Sequence, residues 1–129
     1  MLIYIKSEMI YLEAKKIQSD IEALHYWDAR VLQMDTSFFG DEITIMFEET
    51  DYNVNLLFTG CSKFSFITSV EDRLKPLKEL TKPQIPYFIQ DIEVSDLEIE
   101  DGKNLLKCNI LMPPLNVEVV CTRIFIAKV

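Results

Sequence analysis

The sequence predicts an α+β domain: a mostly antiparallel, twisted sheet of six to eight strands, curling toward a barrel or half-barrel, with an N-terminal helix. Ile43, Ile45 and Phe47 alternate with Thr44, Met46 and Glu48, and Val54, Leu56 and Phe58 alternate with Asn53, Asn55 and Leu57. A period of two marks strands with one buried and one wet face. The strand-like segments succeed one another in sequence, with turn residues between them. With 129 residues, 49% of them hydrophobic, the chain suits one domain, residues 1–129, with a continuous core.

The N-terminal segment reads differently from the rest. Ile3 and Ile5 suit a short strand, and Ile10, Ala14, Ile17, Ile21 and Leu24 recur at helical spacing, placing a helix within residues 8–24. A hairpin over residues 2–12 is the competing reading, because Tyr4, Ile10 and Tyr11 also suit a strand. Residues 29–38 form a strand, Phe38-Phe39-Gly40-Asp41 a turn, 42–49 the return, and 52–59 the next strand. Residues 61–69, with Phe64, Phe66 and Thr68 at alternate positions, continue that ribbon past Gly60, a place for a bulge or bend.

Pro76, Pro83 and Pro86 make residues 70–86 a loop with room for a short helical turn. It also carries Arg73, Lys75, Lys78 and Lys82. The sheet resumes at Tyr87. Ile92 and Val94 share one parity and Leu97 and Ile99 the other, which predicts a bulge or kink at Ser95-Asp96. Asp101-Gly102 is a hairpin signal, residues 105–112 return, and Pro113-Pro114 ends that strand. Residues 116–127 read as one last strand, apolar on both faces and so central or covered.

Charge and composition exclude several functions. Thirteen Lys and Arg against 21 Asp and Glu give a formal net charge of −8, which disfavours phosphate-backbone binding and anionic membranes. It favours a basic protein partner. Three glycines in the whole chain leave no dinucleotide fingerprint and no phosphate-binding loop. One His and three dispersed cysteines, Cys61, Cys108 and Cys121, do not make a zinc site or a disulfide framework. No cofactor or metal is expected, and the thiols are expected as small buried hydrophobes in a reducing cytoplasm. The first six residues lack a basic leader, so no signal peptide is expected.

The densest charge feature spans Asp91, Glu93, Asp96, Glu98, Glu100 and Asp101, six acids and no base. Alternating acids on a strand form a solvated face and guard an edge against mispairing. They also suit docking of a basic partner, and these six are the expected partner-binding residues. Paired carboxylates could run glycoside chemistry, the enzymatic alternative. No catalytic residue is expected: His25 and Asp28 lack a nucleophile elbow. Trp27 is expected to anchor the entry to the first long strand, with Asp28 tying down nearby backbone N–H groups. A further alternative is a ligand-binding β-fold with Trp27, Phe38, Phe58 and Phe64 around a pocket.

The phrases Trp27-Asp28-Ala29-Arg30-Val31-Leu32, Glu42-Ile43-Thr44-Ile45-Met46-Phe47 and Leu57-Phe58-Thr59-Gly60-Cys61 resemble small bacterial immunity proteins of the polymorphic-toxin type. Those proteins often enter a strand through His-Asp-Ala or His-Asp-Ser. Here Trp27 stands where that His would be, and His25 lies two positions earlier. The resemblance covers residues 24–68 and the final strand. It implies a cytosolic, non-catalytic protein that binds and neutralises a toxin, and it transfers no catalytic residues.

Overall fold

The computed structural model describes residues 13–68, 75–98 and 104–129. Helix α1 occupies residues 13–22 of these and buries Ala14, Ile17 and Ile21, the positions selected by helical spacing. Ile10, the strand expected at residues 3–5 and the rival hairpin over 2–12 lie outside the described residues. Eight strands follow: β1 (Val31–Ser37), β2 (Glu42–Glu48), β3 (Asn53–Thr59), β4 (Lys63–Thr68), β5 (Asp91–Glu98), β6 (Asn104–Met112), β7 (Leu115–Cys121) and β8 (Arg123–Lys128). The proline-bearing connection between β4 and β5 contains 3-10 turns at Leu77–Glu79 and Lys82–Gln84.

Among the described residues all pairings are antiparallel, and the strands divide into two four-stranded sheets, β1-β2-β3-β8 and β4-β7-β6-β5, that do not close into a barrel. Two bends make the division. The ribbon running from β3 into β4 turns at Gly60, and the stretch expected as one last strand breaks at Thr122 into β7 and β8. Gly60 has a φ of +61°, open to glycine at little steric cost. The bends clasp each other: the Thr122 N–H donates to Thr59 O at 3.0 Å, and its hydroxyl donates to Gly60 O at 3.1 Å. On the opposite flank the chain before β5 pairs with the entry to β1. The Asp28 N–H donates to Ile89 O at 2.8 Å, and the Val31 N–H donates to Tyr87 O at 2.8 Å.

The core lies between the sheets and under α1. Ile43, Ile45 and Phe47 of β2 and Val54, Leu56 and Phe58 of β3 are fully buried, as their alternation requires. Ile92, Cys108, Ile110 and Val119 face them from the second sheet. The phase change at Ser95-Asp96 is not a bulge. The β5–β6 ladder runs without a shift from Asp91↔Leu111 to Glu98↔Asn104. A bulge would slip the register, and the β6 ladder holds it. The odd-numbered Leu97 keeps the outward parity and stays half-buried there.

The outer edge of β5 is guarded by side chains. Gln18 of α1 donates through Nε2 to Ile92 O at 2.9 Å and accepts the Val94 N–H through Oε1 at 2.6 Å, as a neighbouring strand would. The Ile92 N–H donates to the Tyr26 hydroxyl at 3.0 Å. Backbone groups left unsatisfied in a half-buried place are costly. Gln18→Ala is therefore expected to destabilise the fold by about 1–3 kcal/mol in a urea titration. Gln18→Glu keeps the acceptor but replaces the donor with a carboxylate oxygen facing the Ile92 carbonyl and Glu22, and should also fall short of the wild type. Equal midpoints for all three proteins would show that water satisfies the edge as well as Gln18 does.

Candidate partner-binding surface

β5 holds the acids expected to bind a partner and distributes them by parity. Asp91 and Glu93 are exposed on the outward face, whereas Asp96 shares the parity of Ile92 and Val94 and is half-buried. Glu98 ends the strand, and Glu100 and Asp101 lie outside the described residues. Asp91 also touches the helix corner, since the Tyr26 hydroxyl lies 3.4 Å from its Oδ1.

That corner differs from expectation in its anchor. Tyr26, not Trp27, is the buried aromatic, because only a phenol can meet the edge N–H of Ile92 there. Burial pushes the Tyr26 phenol up, with the negative charge of Asp91 adding to it. Trp27 stacks on Tyr26 at 4.3 Å between ring centroids and remains 48% exposed. Asp28 has a φ of +65°, a conformation Asp tolerates, and its carboxylate accepts from the Gln90 side chain at 3.1 Å. His25, Trp27, Asp28, Arg30 and Glu49 line an open recess of about 500 Å³. Burial raises the Glu49 carboxyl, opposed by charge at His25, and the Arg30 guanidinium sits 5.0 Å over the Phe88 ring.

The four aromatics expected around a ligand pocket are not brought together. Phe58 is in the core, Trp27 is at the charged corner, and only Phe38 and Phe64 share a recess. Phe58 has the inward parity of β3, so the same alternation that predicts its strand removes it from any surface pocket. A more apolar groove of about 790 Å³ lies between β1 and β4, lined by Val31, Met34, Phe66, Leu77, Ile85 and Tyr87. None of these three recesses is lined by an acid of β5. Among the described residues no three His, Cys, Asp or Glu side chains gather as metal ligands would, and no helix is long and apolar enough to cross a membrane.

The cysteines are free. Cys108 and Cys121 are buried and Cys61 is half-buried. Burial raises all three thiols, Cys121 to about 12, so their thiolate fractions at neutral pH are small.

The turn joining β1 to β2 is the feature whose importance its sequence did not disclose. Phe39 (φ +57°) and Gly40 (φ +91°) are its central residues, closed by the Asp41 N–H donating to Phe38 O at 3.1 Å. Phe38 also has a positive φ, +52°. Tight hairpins with positive φ at both centres favour Asn-Gly or Asp-Gly, and an L-residue in this region costs about 1–2 kcal/mol. The Phe38 side chain is nonetheless 73% exposed, and Phe39 is fully exposed. Beside them Phe64 and Phe66 complete an open recess of about 650 Å³. The available signal was the Phe-Phe-Gly turn itself, since aromatics at a hairpin tip have no core to enter.

The described surface thus carries exposed aromatics at Trp27, Phe38, Phe39 and Phe66 and exposed acids at Asp91 and Glu93. The chain belongs to the family described as Immunity protein PIM7, whose model matches residues 13–128. That family carries a toxin-immunity role and a toxin as binding partner. No curated protein matches the chain.

Proposed function

We infer that this protein neutralises a toxin by binding it, without catalysis, in the cytoplasm of the cell that carries both. Membership of an immunity family over residues 13–128 is the observation that carries this reading. The partner is a basic toxin domain, complementary to a chain of net charge −8. The acidic segment, Asp91, Glu93, Asp96, Glu98, Glu100 and Asp101, supplies the attraction. Asp91 and Glu93, exposed on the outward face of β5, are its foremost members. Exposed charges of this kind raise the association rate more than they slow dissociation.

The test starts from the genes that flank this one: a toxic C-terminal domain found there is co-expressed with this chain. Cells carrying both should grow, and the two chains should co-purify as a stoichiometric complex. Asp91→Asn/Glu93→Gln should slow stopped-flow association at low salt and flatten its salt dependence, with the urea midpoint unchanged. Growth arrest despite co-expression, with no complex formed, would overturn the reading.

A further inference from the structure

We propose that the β1–β2 turn is the apolar anchor of the complex: Phe38 and Phe39 insert into an apolar recess on the cationic face of the toxin domain. This rests on the toxin-binding reading above and names the surface that carries the contact.

Exposure and backbone both point to the turn. Single exposed hydrophobics are ordinary on a protein surface, but here two adjacent Phe side chains, 73% and 112% exposed, extend into water. Both also hold positive φ, where a bulky L-residue is rare. Asn at residue 39 would relieve the backbone and remove apolar surface from water, so folding alone selects against Phe on two independent grounds. Backbone outliers of this kind gather at binding sites.

The surroundings define the occupant. The tip stands next to Phe64 and the 51% exposed Phe66, which widen the apolar area into the adjoining recess. Asp35, Asp41 and Glu42 flank the turn in sequence, Asp35 and Asp41 exposed and Glu42 half-buried, and Asp41 also lines the recess; Lys63, the base in that lining, is paired with Glu118 at 3.3 Å. An apolar centre with a charged rim is the anatomy of an interface hot spot, and an acidic rim calls for a cationic one opposite. A second copy of this chain is disfavoured, because it would set Asp35, Asp41 and Glu42 against their own kind. The exposed acids of β5 then steer the approach, and the aromatic turn holds the complex.

The experiment uses the full chain and the purified toxin domain that the co-expression test identifies. Phe39→Asn and the double variant Phe38→Asn/Phe39→Asn should unfold at a urea concentration no lower than the wild type. Both should bind the toxin about 30-fold or more weakly, through faster dissociation, as loss of an interface anchor does. Their association should keep the wild-type salt dependence, unlike that of the β5 charge variants. Phe125→Thr, which removes a half-exposed aromatic of β8, should leave affinity unchanged. Wild-type affinity in both Phe variants would overturn this inference and leave the toxin-binding reading standing. A wild-type chain that does not bind the toxin would remove both. Concentration-dependent dimerisation of the wild type, abolished in Phe39→Asn, would reassign the turn to self-association and overturn the proposal.

Discussion

Phe47→Ala is expected to cost about 3–5 kcal/mol of folding stability, the range for truncating a buried aromatic. Phe47 has no exposed surface and stands opposite Val31 on one side and Val54 on the other. The ring fills the space where the entry to β1 meets the first sheet, and those strands cannot collapse into the void without breaking both ladders. Thr44, on the opposite face of the same strand, is half-buried. Thr44→Ala should cost under about 0.5 kcal/mol, as at an ordinary surface site. The two variants should show urea midpoints far apart at a common m-value. Similar losses would contradict the assignment of inward and outward faces in β2.

Gly60→Ala is expected to destabilise by about 2–4 kcal/mol, combining the left-handed backbone of an L-residue with overpacking. A Cβ at residue 60 would lie 2.5 Å from Thr122 Oγ1 and 2.9 Å from Thr122 Cβ. Thr122 is short and is held by its own bonds to the Gly60 carbonyl, so it cannot swing aside as the end of a long chain would. Thr122→Gly removes both clashing atoms. In a double-mutant cycle it should recover the steric part of the Gly60→Ala loss while leaving the conformational part. Additive losses would mean that the two bends do not meet as described. Gly40→Ala is an instructive contrast. It carries the conformational cost at φ +91°, but nothing lies within 4 Å of the added Cβ.

The sequence by itself determined the strands and which of their faces are buried. Ile43, Ile45 and Phe47, and Val54, Leu56 and Phe58, are legible because the strand period is two and one face must leave water. Ala14, Ile17 and Ile21 are legible for the same reason at a period of 3.6. The division into two sheets was decided only by tertiary structure. Residues 116–127 read as one strand apolar on both faces, yet the chain crosses between sheets at Thr122, where it meets the bend at Gly60. No local pattern carries that meeting, because the two positions are 62 residues apart.

The corner at residues 25–29 shows the same limit. Tyr26 and Trp27 are both large aromatics, and the choice between them depended on the edge N–H of Ile92, which β5 brings there and which needs an acceptor. The candidate site divides likewise. The acids of β5 are plain in the sequence as a run without a base. Their separation into the outward Asp91 and Glu93 and the half-buried Asp96 required the β5–β6 register. The backbone at Phe38 and Phe39 was least legible, since a turn of that length can be closed with either sign of φ. The ladder between β1 and β2 selected the left-handed one, because its twist suits the right-handed twist of the strands it joins.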